Sequence, residues 1–185
     1  MNIPLHPVEY RRRLPHWQPD GAYLFVTWRL QGTEAKPQPE RIYATPGQAF
    51  AAQDRALDVS SGPRWLSDSR VADCVAQTLI EGQELRLYEL ISWVIMPNHV
   101  HVLITPLGRY SLSGITQSWK SFTAKGANEV LGRSGTFWAP EYFDRVIRDE
   151  AHYTNAVAYF AMNPVKARLC TSPEQWRFSS AWNGR

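Results

Sequence analysis

"IMPNHVHVLITP", Ile95 to Pro106, sets a turn and a strand side by side. Met96, Pro97 and Asn98 read as the turn, because the fixed φ of proline suits one. Val100, Val102, Leu103 and Ile104 then predict a strand. Strand side chains alternate between faces, so His99 and His101 point the same way. The chain has only five histidines, and two of them share one face of an apolar strand. Such a pair is either a metal site or two ordinary strand residues, and the strand alone does not decide between them.

The flanking segments extend the pattern. "LRLYELISWVIMP" ahead of the turn predicts a strand that forms a hairpin with the histidine strand. "GAYLFVTWRLQG", Gly21 to Gly32, predicts a first strand, rich in aromatic and β-branched residues. "GQAFAAQDRALDV" suits a short helix. Val71, Val75, Leu79 and Ile80 recur at helical spacing and predict a helix from Ser67 to about Gln83. A second helix is expected from Leu112 to about Leu131, weakened by Gly126. A short strand is expected around Tyr142 to Ile147. A third helix opens at Asp149 and Glu150, where the helix dipole favours negative charge. It is expected to stop near Asn163, since a residue before proline avoids the α region. The tail "TSPEQWRFSSAWNGR" reads as mostly irregular. Strand pairs mixed with helices indicate an α+β fold, an antiparallel sheet flanked by helices, in one domain spanning residues 1–185.

Composition limits the function. A hydrophobic share of 44% over 185 residues sustains a core. No apolar run is long enough to span a membrane, and "MNIPLHPVEYRRRLPHW" lacks a signal-peptide core. Cys74 and Cys170 are the only cysteines, so reduced thiols and a cytoplasmic location are expected, with no membrane partner. The net charge of +3 permits a nucleic-acid partner without requiring one. Eight Trp, eight Tyr and seven Phe beside basic residues suit single-stranded nucleic acid, although most of these rings belong in a core. Among Trp119, Trp138 and Phe122, core packing is the better reading for at least two.

The third helix carries polar groups that bear on the histidines. Tyr159 and Asn163 lie one turn apart, and Asn155 and His152 extend that stripe. If it faces the histidine pair, two imidazoles and an amide oxygen leave open positions on a divalent ion, which would grip a phosphate oxygen. The Tyr159 phenol would then attack phosphorus, the metal offsetting its developing charge. Tyr153 is the rival nucleophile, but it lies about 120° around the helix from Tyr159.

"MPNHVHVL" resembles the His-hydrophobic-His motif of the HUH endonuclease superfamily, and "YFAMNPVKARL" is similar to the tyrosine helix of its single-tyrosine transposases. "EYRRR", "GAYLFVTWRLQG", "FWAPEYFDRVIRDEAHY" and "WRFSS" resemble the branch called REP-associated tyrosine transposases. The blocks occur in order through most of the chain, except about Thr33 to Pro63. The resemblance implies an RRM-like (ferredoxin-like) HUH endonuclease fold. It implies Tyr159 as the nucleophile that forms a 5′-phosphotyrosine, and Mg²⁺ or Mn²⁺ on His99 and His101. Asn163 would be the third ligand, standing where related transposases often carry glutamine; a plain helix-end asparagine is the rival reading. The partner would be single-stranded or hairpin DNA. Arg11, Arg12 and Arg13 are candidates to contact it and, with less force, Lys120, Arg148, Lys166, Lys125, Arg145 and Arg168. The implied activity is metal-dependent DNA cleavage and strand transfer. The alternatives are a non-catalytic regulator that binds DNA hairpins and, last, a metal hydrolase using water. The sequence leaves a monomer and a homodimer equally open.

Overall fold

Runs of β-branched and aromatic residues pair into an antiparallel sheet. The computed structural model describes residues 19–33, 52 and 55–184. Four strands, β1 (Leu24–Leu30), β2 (Tyr88–Ile95), β3 (His99–Pro106) and β4 (Trp138–Val146), stand in the order β2-β3-β1-β4. The histidine strand is therefore central. Helices α1 (Ser69–Glu84), α2 (Leu112–Val130) and α3 (Glu150–Lys166) complete the order β1-α1-β2-β3-α2-β4-α3 among the described residues. This is the expected α+β arrangement. No described helix is long and apolar enough to cross a membrane.

Strand alternation divides the residues between two faces. Leu24, Val26, Trp28 and Leu30 of β1 join Val100, Val102 and Ile104 of β3 in the larger core, beneath α1 and α2. Phe25 and Leu103 turn the other way and join Val94, Met96, Ala156 and Phe160 in a second cluster beneath α3. The larger core is organised around Tyr88, whose hydroxyl donates to the Leu79 carbonyl at 2.7 Å and accepts from Trp119 Nε1 at 2.9 Å. Burial pushes its phenol well above the ordinary range. Gly82 makes room for it, since a Cβ there would collide with the Tyr88 hydroxyl. Gly126 has a similar use: a Cβ would stand 2.8 Å from Cys74 Sγ, so the glycine that weakens α2 lets α1 approach it.

Two expectations are corrected. Strand β4 is nine residues long and begins at Trp138, ahead of the expected Tyr142. Helix α3 does not stop at Asn163 but runs through Pro164 to Lys166. Asn163 and Pro164 are buried, so packing outweighs the one helical hydrogen bond that proline removes. The tail is irregular but covers the β2 edge: Ile95 N donates to Phe178 O at 2.8 Å and Ser180 N to Trp93 O at 2.9 Å. Of the expected helix in "GQAFAAQDRALDV", residues 52 and 55–58 are helical, while 47–51, 53 and 54 lie outside the described residues.

All three helices end in the same paired hydrogen bonds. After α1, Arg86 N donates to Gln83 O and Leu87 N to Gly82 O; after α3, Arg168 N donates to Val165 O and Leu169 N to Pro164 O. This is a Schellman closure, which needs a left-handed residue just past the helix. Gly132 fills that place after α2, but Arg86 (φ 55°) and Arg168 (φ 59°) fill it after α1 and α3. A Cβ in that conformation is strained by about 1–2 kcal/mol. Replacing Arg86 with glycine is therefore expected to stabilise the fold by about 0.5–1 kcal/mol, read as a higher urea midpoint at unchanged slope. Gly82→Ala is expected to cost about 1–3 kcal/mol, as overpacking does, and the same titration would show no loss if Tyr88 had room to move.

Candidate nucleic-acid cleavage site

The register of three strands builds the site. Thr27 of β1 stands opposite His101 of β3, and Arg29 opposite His99. On the other flank Val94 of β2 faces His101. His99 and His101 are both buried, with ring centroids 4.7 Å apart. They share one face, as alternation requires.

Each imidazole is held at its Nδ1. His101 Nδ1 lies 2.7 Å from Thr27 Oγ1. His99 Nδ1 lies 2.7 Å from Asn98 Oδ1. The Asn98 amide has a defined orientation, because its Nδ2 donates to Leu57 O at 2.7 Å and to Ser60 Oγ at 3.1 Å. Its oxygen can only accept, so His99 Nδ1 carries the hydrogen. In the neutral ring this puts the lone pair on Nε2, which is buried. A neighbour that sets the tautomer through the other ring nitrogen is the arrangement found around metal-bound histidines. The donor set therefore fits a divalent cation. Among the described residues no three His, Cys, Asp or Glu side chains gather into a cation-binding group, so a third ligand drawn from them has to be an amide or a hydroxyl.

Helix α3 closes the site over β2 and β3. Asp149 caps it, accepting from His152 N at 2.7 Å. Phe160 meets the histidines most directly, its ring stacked on His101 at 5.6 Å and 11°. Tyr159, half-buried, has its ring centroid 6.0 Å from that of His101 and 6.3 Å from that of Phe25. Asn163 is buried on the same flank as Phe160, one turn on. The polar stripe is thus divided: Tyr159 and Asn163 approach the sheet, and Asn155 is exposed to solvent. His152 instead receives Arg148 N at 3.4 Å. Burial first, then the Arg145 charge, hold its imidazole below the ordinary value. Tyr153 packs on Tyr23 at 5.0 Å and against the cluster beneath α3.

The basic candidates scatter. Lys166 Nζ lies 4.9 Å over the Tyr159 ring. Arg148 is exposed at the start of α3. Lys120 belongs to the opposite side, where its ammonium donates to the carbonyls of Ala139, Pro140 and Glu141 at 3.0, 3.0 and 3.2 Å. Arg11, Arg12 and Arg13 lie outside the described residues. Trp119 and Trp138 are core, while Phe122 is half exposed. Cys74 and Cys170 are free thiols.

Sequence reasoning missed Thr27 and Asn98 as partners of the histidines. A threonine between apolar neighbours in β1, and an asparagine directly before His99, were the available signals. Asn98→Ala is expected to cost about 1–3 kcal/mol, because it strands the buried carbonyl of Leu57 and the His99 ring. Nitrogen NMR of the imidazole should show His99 losing its preference for the Nδ1–H tautomer; an unchanged tautomer would mean that Asn98 does not set it.

Residues 64–161 match the family described as "Transposase IS200 like". The chain is 28% identical over 103 residues to the REP-associated tyrosine transposase of Escherichia coli (strain K12). That match spans 55% of this chain and 59% of the relative. A solved structure of a REP-associated tyrosine transposase bound to a REP hairpin covers 94% of this chain and 82% of its own, at a TM-score of 0.58 and 22% identity. At that identity the likeness speaks for the fold. Together with the paired histidines and the helix beside them, these matches place the chain in the IS200-like transposase family, where it resembles the REP-associated tyrosine transposases.

Proposed function

We propose that this chain, acting as a single domain, cleaves and rejoins single-stranded DNA beside hairpin-forming elements through a tyrosine-linked intermediate. The observation that carries the reading is the meeting of the Tyr159 ring with the ring of His101, on a face where His99 stands 4.7 Å from His101. Family membership and the hairpin bound by the related transposase support it.

In this reading His99 and His101 offer Nε2 lone pairs to a cation, and Asn163 offers an amide oxygen from α3. Mg²⁺ or Mn²⁺ held there would supply positive charge to a phosphate oxygen. The Tyr159 phenol oxygen attacks phosphorus. A phenol O–P bond forms, the bond from phosphorus to the upstream 3′ oxygen breaks, and that oxygen leaves as a 3′-OH. The 5′ phosphate stays on Tyr159, so one ester replaces another, and a different 3′-OH can reverse the step. Phe160 and Phe25 keep water from the inner side of the phenol. Lys166, above the Tyr159 ring, and Arg148 are placed to attract the DNA backbone, with Arg11, Arg12 and Arg13 as further contacts. Lys120 remains a weaker candidate, since its donors already meet three carbonyls.

The test uses labelled DNA carrying a hairpin with randomised single-stranded flanks, incubated with the protein and Mn²⁺. A covalent adduct that survives denaturation and maps to Tyr159 is expected; it should vanish in Tyr159→Phe and on chelation. An adduct persisting in Tyr159→Phe would refute the assignment. Tight hairpin binding with no adduct under any condition would leave a regulator instead of a transferase.

A further inference from the structure

Arg29 is the cross-strand neighbour of His99. Directly paired side chains lie on one face, about 5 Å apart at Cβ. The alternation of β1 gives the same face. Trp28 and Leu30, on either side of Arg29, belong to the larger core, so Arg29 turns the other way with Thr27, which holds the His101 ring. The pairing of β1 with β3 is regular from Leu24 through Arg29, so no slip disturbs that alternation.

On its other flank the sheet gives way at this residue. Trp28 pairs with Tyr142 and Leu30 with Trp138, so Ala139, Pro140 and Glu141 of β4 together stand across from Arg29. A bulge of this kind re-aims side chains and recurs beside active sites. Lys120 meets the carbonyls of those three residues from α2 and so fixes the bulge. Arg29 is half-buried, and one guanidinium nitrogen donates to the Thr33 carbonyl. That bond anchors the guanidinium at the end of the sheet where His99 begins β3. It takes one donor of a planar fork that has several.

The order along β1 gives Arg29 a direction. Tyr159 packs on Phe25 and His101. Thr27 holds His101, and Arg29 follows one row further, opposite His99. A row advances about 7 Å along the strand. A phosphate seated on the two histidines therefore has the phenol toward Phe25 and the guanidinium toward the other end. Displacement at phosphorus is roughly in line, so an oxygen attacking from the Phe25 end expels the 3′ oxygen toward the Arg29 end.

We infer that Arg29 is a catalytic residue: its guanidinium hydrogen-bonds the phosphate that Tyr159 attacks and offsets the negative charge gathering on the departing 3′ oxygen. The inference rests on the DNA-cleavage reading and adds to it the group that meets the leaving side. Arg29 stays protonated throughout. The phenol gives its proton to water and the departing oxygen takes one from water, so the exchange balances.

Binding is tested first, with Tyr159→Phe protein in EDTA. The probe is the hairpin DNA that this protein retains best from the randomised pool, its flank phosphates replaced one at a time by neutral methylphosphonate. Replacement at one position is expected to cost about tenfold in affinity and to cost nothing further once Arg29→Gln is added. Cleavage is tested on the same DNA with sulfur in place of the bridging 3′ oxygen at the cut. Arg29→Gln should slow adduct formation about 10²–10³-fold on the oxygen DNA and little on the sulfur DNA, because a thiolate leaves without such help. A protein that had lost its fold would be slow on both. Arg29→Lys, which keeps the charge without the fork, should recover part of the loss on oxygen. Equal losses on oxygen and sulfur, or one methylphosphonate profile with and without Arg29, would overturn the inference, and Tyr159 adducts in the same samples would leave the cleavage reading standing. A phosphate position that depends on Arg29 in a protein that forms no adduct would support the contact and sink the cleavage reading.

Discussion

The side-chain amide of Asn98 is the constraint on which the site depends. Its nitrogen donates to Leu57 O and Ser60 Oγ, its oxygen receives His99 Nδ1, and its backbone carbonyl accepts from Leu30 N. One residue in a tight turn thus ties together the segment before α1, the end of β1 and the first histidine. Asn98 is itself buried, where an unsatisfied amide would be costly. The turn therefore adopts one arrangement, and the tautomer of His99 follows from it.

The two faces of the sheet answer different demands. Beneath α1 and α2 the core is closed, and Trp119, Tyr88 and the Leu79 carbonyl form a hydrogen-bonded chain inside it. Beneath α3 the cluster is smaller and includes two imidazoles and an amide among Phe25, Leu103 and Phe160. Burying three such polar side chains together is unfavourable unless they serve one another or a shared ligand. The polar groups are concentrated on one central strand and the facing helix, and the other face carries the larger hydrophobic core.

Much of this was legible in the sequence, because strand alternation and helical spacing are local rules. The common face of His99 and His101 follows from their spacing alone, and the element order follows from periodicity. What escaped reading depended on partners distant in sequence. Pro164 promised a helix end, but burial of Asn163 and Pro164 carried α3 one turn further. The tail looked irregular because the hydrogen bonds that seat it on the sheet run to β2, 88 and 87 residues away. Gly126 looked like a weakness in α2 until Cys74 came to lie against it. Thr27 was unremarkable in its own strand, and only the register against β3 turns it into the partner of His101.

The division of labour between Phe160 and Tyr159 follows from helix geometry. Adjacent positions differ by about 100° around the axis, so two neighbours cannot both point straight at the sheet. Phe160 takes the centre, stacked on His101. Tyr159 is left at the rim of the buried arc, half covered, with Lys166 above its ring. On the proposed reading Tyr159 is a nucleophile, and a nucleophile needs both conditions that the rim provides. Its ring is held by packing on Phe25 and His101, while part of the side chain remains exposed. Exchanging the two side chains would place the phenol among apolar groups and the phenyl ring at the rim, where on that reading the DNA would arrive. The apolar residue beside the tyrosine thus belongs to the same design as the tyrosine itself: it fixes how deeply the helix sits, and so where the phenol stands relative to the histidines.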